Sequence, residues 1–172
     1  MSTIEPRKNI DTLIKAFEII KNQENSDLRL ILAGGLGWKY ENTLKLIEES
    51  KYKDDIILTG YITEEEKKYF FDNAICFVYP SLYEGFGIPV LEALSLKQIV
   101  VTTNVSSIPE VGGDAAFYYD NVLDYNNLAN TIQKVIKLTD EERNTYISKG
   151  IEQANKFSWK KCAEEVLYEL KK

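Results

Sequence analysis

The chain has 172 residues, 44% of them hydrophobic and 28% charged, which suits one globular domain with a sizeable core. A net charge of -6 argues against a nucleic-acid partner, because the phosphate backbone is repelled by an acidic protein. The absence of histidine excludes Ser-His and Cys-His nucleophile systems within the chain and argues against a zinc site.

In chain order, Thr3-Ile4 reads as the end of a strand whose beginning is missing, followed by Pro6 and the cation pair Arg7-Lys8. Asn9 or Asp11 is placed to cap a helix carrying Leu13, Ile14, Phe17 and Ile20 at helical spacing. Asn22 to Asp27 reads as a polar turn and Leu28 to Ala33 as a buried strand. Gly34-Gly-Leu-Gly37 then precedes a helix over Tyr40 to Ser50. Read from Gly35, a G-x-G-x-x-G pattern fails at Tyr40, so a tight turn and a ligand contact are equally good readings of these glycines.

Ile56 to Leu58 is a short strand that ends at Thr59-Gly-Tyr-Ile62, and Thr63-x-x-Glu66 is a capping box opening the next helix. Ala74 to Tyr79 reads as a strand that leads into Tyr79-Pro-Ser-Leu-Tyr-Glu-Gly-Phe-Gly-Ile-Pro-Val-Leu-Glu92 and a helix beyond. Gln98 to Thr102 and Ala115 to Tyr119 are further strands, with a polar loop and a short helix at Pro109 between them. From Asn126 the pattern is helical only. The capping signals are Thr139-x-x-Glu142 and Ser158, and the last apolar stripe is Ala163, Val166, Leu167 and Leu170. No apolar run approaches the ~20 residues of a membrane span. Cys76 and Cys162 lack a CxxC spacing, and two lone thiols suggest a reducing compartment, the alternative being that the two pair.

Strands alternating with helices predict an α/β fold with a doubly wound parallel sheet, whose ligands bind beyond the carboxyl ends of the strands. The candidate ligand stretches all follow strands: Glu5 to Lys8, Gly34 to Gly37, Thr59 to Thr63, and Ser81 to Glu92. In the last of these, a Gly-rich turn feeding a helix N-terminus favours an anion such as a phosphate. Gly85 and Gly87 permit close backbone approach, and Pro89 fits the first helical position. Glu84 and Glu92 could bracket a ligand there. Equally, Glu92 could only complement the helix dipole while Glu84 is solvated. Arg7 and Lys8 read either as an ordinary loop pair or as phosphate-neutralising cations, and Tyr61, Tyr79 and Tyr83 as packing residues.

Glu84-Gly-Phe-Gly-Ile-Pro-Val-Leu-Glu92 resembles the E-x7-E signature of the family-4 retaining glycosyltransferases, which have the GT-B fold. Glu5 to Asn9, Ala33 to Glu41, Gly60 to Thr63, Asn104 to Glu110 and Phe157 to Trp159 also resemble segments of that family. The resemblance implies roles residue by residue. Lys8, helped by Arg7, would neutralise the donor diphosphate, and Ile62 would meet the nucleobase through its backbone. Glu84 would hold hydroxyls of the donor sugar, with the amides of Gly85, Phe86 and Gly87 lining the same pocket. Ile88, Pro89 and Val90 would contact phosphate through backbone N–H groups, Glu92 would bind the ribose hydroxyls, and Gly35 would border the nucleotide.

The resemblance also implies a nucleotide-sugar donor, GDP- or UDP-linked, with no further cofactor and no metal. GDP-mannose is the reading favoured by the Gly34 to Glu41 loop. The family has two Rossmann-like domains, and this chain resembles only the donor-binding one, with an α/β core over residues 1–125 and helices over 126–172. The expected partner is therefore an N-terminal acceptor domain, which would carry any membrane contact. The implied enzyme is cytoplasmic, at the inner membrane face if that contact exists. The resemblance further implies that the final helix crosses to the other domain and exposes its apolar face here. A non-catalytic nucleotide-binding module, or a glycoside hydrolase with Glu84 and Glu92 as its carboxylate pair, are the competing readings.

Overall fold

A computed structural model describes residues 1–24 and 27–172. Helix α1 (Ile10–Glu24) runs through Asn22 to Glu24, where a turn was expected, and the remainder of that expected turn, Asn25 and Ser26, lies outside the described residues. The order continues β1 (Leu30–Ala33), α2 (Glu41–Glu49), β2 (Ile56–Gly60), α3 (Glu64–Asn73), β3 (Phe77–Tyr79) and α4 (Ile88–Ser95). It ends with β4 (Val100–Thr103), α5 (Ile108–Gly112), β5 (Ala116–Tyr119), α6 (Tyr125–Ile136), α7 (Asp140–Ala154) and α8 (Trp159–Leu170).

All strand pairs are parallel. They form a two-stranded sheet, β1-β2, and a three-stranded sheet, β3-β4-β5. Side chains alternate across the pleat: Val101 faces the cluster built on α1 and α6, and Val100 faces the cluster with α4 and α5. Leu13, Ile14, Phe17 and Ile20 of α1 are buried in the first cluster with Leu128, Ile132 and Val135 of α6. Each such side chain contributes roughly 1.5–3 kcal/mol by leaving water. Val90, Leu94, Ile108 and Val111 fill the second.

All the strands but β2 start later than the apolar runs suggested. Gln98 shows why. Its side-chain amide donates to the Phe71 and Ala74 carbonyls, and its Oε1 accepts from the Ile99 N–H, so it fastens the end of α3 instead of joining a ladder. Both capping boxes form, Thr63 with Glu66 and Thr139 with Glu142. Asp124 caps α6 through the Asn126 and Asn127 N–H groups, and Ser158 caps α8 through Lys161 N–H. The apolar stripe of α8 packs on nothing: Val166 and Leu167 are each 53% exposed and Leu170 is 78% exposed.

Candidate functional site

The turn that precedes α1 and the loop that follows β3 meet at one buried cluster. Residues 2–4 run beside the end of β1, with Ser2 N–H donating to the Ala33 carbonyl and Ile4 bridging Leu36. The chain then tightens into a 3-10 turn over Pro6–Lys8 and passes through Asn9 in the left-handed region (φ 54°). Asn9 Nδ2 donates to the Pro80 and Val122 carbonyls, and Leu82 N–H donates to the Arg7 carbonyl. The turn and the loop after β3 are therefore bonded together, which brings Arg7 and Lys8 onto the loop that carries Glu84.

Lys8 Nζ lies 2.6 Å from Glu84 Oε1 and donates to the Tyr79 hydroxyl at 2.7 Å, and Tyr79 in turn donates to Glu84 Oε1 at 2.8 Å. Arg7 reaches the same oxygen at 2.9 Å and also holds Glu5 at 2.8 Å. Burial opposes charge on Glu84, but the bonds from Lys8 and Tyr79 overcome it and hold the carboxyl below its usual range. Burial, then the neighbouring Glu84 carboxylate, pushes the Tyr79 phenol far above its ordinary value, so it stays protonated and donates. Lys8 and Glu84 are both buried, which makes the cluster a paired ion site and not a solvated loop.

Beyond Glu84 the loop is pinned from the α5 side. Ser106 Oγ accepts from Glu84 N–H, and Ser107 Oγ donates to the carbonyls of Glu84 and Phe86. Gly87 needs to be glycine: its φ is 106°, and a Cβ would stand 2.9 Å from Ile108 Cδ1. A Cβ on Gly85 would meet nothing within 4 Å, so the space above it is open to a ligand. The N–H groups of Gly85, Phe86, Gly87 and Ile88 have no hydrogen-bond partner among the described residues. They form a run of free donors ending at the N-terminus of α4, a setting that favours an anion.

The reading of Ile88 to Val90 as phosphate donors is corrected here. Only Ile88 offers an N–H. Pro89 has none, and Val90 N–H donates to the Gly87 carbonyl at 2.9 Å. Val90 is fully buried in the core. Pro89 also sits one place further in than expected, because α4 starts at Ile88. Glu92, one turn on, is 46% exposed and lies 3.6 Å from Lys67 Nζ, which Glu64 also binds at 2.7 Å.

The remaining candidates lie on neighbouring strand ends. Ile62 follows β2 and is half-buried. Gly35 lies under the tip of the exposed Tyr61 side chain, 2.7 Å from where a Cβ would stand, and its carbonyl accepts from Ile4 N–H. Of the tyrosines read as packing residues only Tyr79 is buried; Tyr61 is 88% and Tyr83 63% exposed, because both sit on loops beyond the strand ends.

Sequence reasoning missed the Tyr79 hydroxyl, the Ser106 and Ser107 brace, and Lys67. A tyrosine at the last strand position five residues before a carboxylate was the available signal for the first. For Lys67 there was none, since its pairing with Glu92 is a contact between helices.

The glycosyl transferases group 1 family matches residues 1–153, nearly the whole described fold and every element of this site. The chain belongs to that family. It is 36% identical over 169 residues to O-antigen chain mannosyltransferase B of Escherichia coli, covering 97% of this chain and 43% of that protein. It is 33% identical over 168 residues to the serotype-specific mannosyltransferase WbdA of Escherichia coli, covering 95% of this chain and 20% of that protein. The chain thus spans less than half the length of these relatives. Among solved structures, sucrose-phosphate synthase from Thermosynechococcus elongatus superposes with a TM-score of 0.83 at 26% identity, covering 98% of this chain and 43% of that one. TarM superposes with a TM-score of 0.81 at 25% identity, covering 98% and 34%. The fold is the α/β, parallel-sheet fold of GT-B glycosyltransferases. No helix among the described residues is long and apolar enough to cross a membrane.

Proposed function

We propose that this chain is the donor-binding domain of a retaining, metal-independent hexosyltransferase, which takes mannose from GDP-mannose and delivers it to a glycan or lipid-linked acceptor. The observation that carries the donor role is the run of unpaired N–H groups from Gly85 to Ile88, set against the Arg7–Lys8–Glu84 cluster. Donors, cations and a helix N-terminus at one spot suit a diphosphate. A carboxylate beside them suits the hydroxyls of the sugar that the diphosphate carries. The mannosyltransferase relatives favour mannose, and a TarM structure holding UDP supports a nucleotide donor.

In the transfer step, the bond between the sugar C1 and the diphosphate oxygen breaks while the acceptor oxygen bonds to C1 on the same face, and the acceptor hydroxyl proton passes to the departing diphosphate oxygen. Arg7, Lys8 and the free N–H groups stabilise the charge that gathers on the departing diphosphate. Both cations are engaged by Glu84 in the unliganded chain, so a diphosphate that binds must draw them off that carboxylate. Glu92 accepts from the ribose hydroxyls. The acceptor and its domain lie in the rest of the protein, so this chain alone binds donor and transfers little.

Calorimetric titration with GDP-mannose tests the reading. The chain binds the nucleotide sugar and not free mannose, and Glu92→Ala weakens binding by about 1–3 kcal/mol through lost charge-assisted bonds. Unchanged affinity in that variant would remove the ribose assignment. Rapid transfer to an added acceptor by the chain alone would overturn the need for a second domain.

A further inference from the structure

Ser81 Oγ is buried and bonds to nothing. Among the described residues it is the one buried side-chain nitrogen or oxygen without a hydrogen-bond partner. Ser81 is fully buried on the loop after β3, two residues past Tyr79 and three before Glu84. Its backbone is fixed, because its carbonyl accepts from Thr103 Oγ1 at 2.9 Å. A buried hydroxyl left unpaired is destabilising, so its retention calls for a partner in some state of the protein.

The neighbouring carboxylate shows what that partner is. Lys8, Arg7 and Tyr79 all close on Glu84 Oε1, at 2.6, 2.9 and 2.8 Å. One carboxylate oxygen offers two lone pairs, so three donors overfill it. Ser81 is left out: its hydroxyl acts on the charge of both Glu84 and Tyr79 and is hydrogen-bonded to neither. The crowding ends when an anion binds, because both cations then turn to the anion and Oε1 keeps only Tyr79. A buried carboxylate that loses both counter-charges needs a further donor to stay ionised and in place.

Resting on the donor-binding reading above, we infer that Ser81 is a positioning residue for Glu84: its hydroxyl donates to that carboxylate once a bound diphosphate has taken Lys8 and Arg7, and so holds it toward the sugar. The unliganded chain has one donor too many at this spot, and the liganded chain has the number it needs. Serine suits the place, since its O–H turns onto a new acceptor without moving the backbone that Thr103 holds. Ser81 is shut off from solvent, and the chain has no histidine to take its proton, so it acts through Glu84 and not as a nucleophile.

A double-mutant cycle on the whole chain tests the exchange of partners. With Lys8 present, Ser81→Ala removes an unpaired group, so the melting temperature stays or rises. In a Lys8→Met background Glu84 lacks its buried cation, and Ser81→Ala then lowers the melting temperature by at least about 3 °C. If Lys8→Met does not fold, Arg7→Gln takes its place, since the Arg7 side chain is partly exposed. Calorimetry reads the liganded state: Ser81→Ala weakens GDP-mannose by about tenfold and GDP by less than about threefold, because only the sugar needs Glu84. The same temperature change in both backgrounds would overturn the inference, as would an equal loss of affinity for the two ligands. A coupled cycle in a chain that binds neither ligand would uphold the exchange at Glu84 and overturn the nucleotide-sugar reading instead.

Discussion

At Glu84 a single oxygen receives Lys8, Arg7 and Tyr79. Desolvating that carboxylate is tolerable only because its partners come with it. Tyr79 is the partner without a charge, and its hydroxyl ties Lys8 to Glu84 from below while its ring packs in the core. Tyr79→Phe keeps the packing and removes the bridge, so it lowers unfolding free energy by about 1–2 kcal/mol with an unchanged denaturant slope. A loss smaller than a few tenths would mean that the hydroxyl adds nothing to the ion pair. The carboxylates, cations and glycines of this site were legible as residue types at suggestive positions. Which of them touch was not. Spacing could not tell that Arg7 and Lys8 close on Glu84, because the fold brings together residues 76 positions apart.

At the scale of elements, signals carried by the local backbone read correctly. Thr63 with Glu66 and Thr139 with Glu142 start their helices where the pattern places them. Strand starts read less well, since Gln98 is bonded to the end of α3 and to the Ala74 carbonyl, and the Ile75 carbonyl accepts from Arg143 of α7 and not from a ladder. The N-terminus of α4 offers fewer donors than its sequence suggested, because Gly87 turns its carbonyl back onto Val90. Helix α8 is the element that the isolated chain uses least. Phe157, just before it, still packs edge-on against Phe86 at 5.7 Å, but every residue of α8 is exposed. Removing residues 158–172 should therefore change stability by less than about 0.5 kcal/mol, measured by denaturant unfolding. A loss of several kcal/mol would show that α8 is held by this domain.

At the scale of the molecule, the chain spans less than half the length of the mannosyltransferase relatives it matches. The doubly wound parallel arrangement was legible from alternating apolar runs. Its division into two sheets, β1-β2 and β3-β4-β5, was not, because the choice of pairing partners is not written in the apolar runs themselves. Burial of the Met1 amine, reinforced by the charge of Lys8, gives the chain a pH dependence of its own. The Met1 amine titrates near 6 when folded against 8.0 when unfolded. Between those values the unfolded chain holds a proton that the folded chain has released, so stability rises with pH across the window. Two units correspond to about 3 kcal/mol, absent below pH 6 and complete above pH 8. With no histidine in the sequence, little else titrates there. Acetylating the amine should flatten the rise in unfolding free energy, and a rise that survives acetylation would assign it elsewhere.

The central claim is that the loop from Tyr79 to Glu92, with Arg7 and Lys8, holds the diphosphate of a nucleotide sugar. Backbone amide shifts of the isotope-labelled chain, followed while GDP-mannose and UDP-glucose are added, test it most directly. Saturable shifts are expected at Gly85, Phe86, Gly87 and Ile88 with at least one of the two donors, and a much smaller shift at Val90. Saturation with neither donor, or shifts that leave those four amides in place, would contradict it.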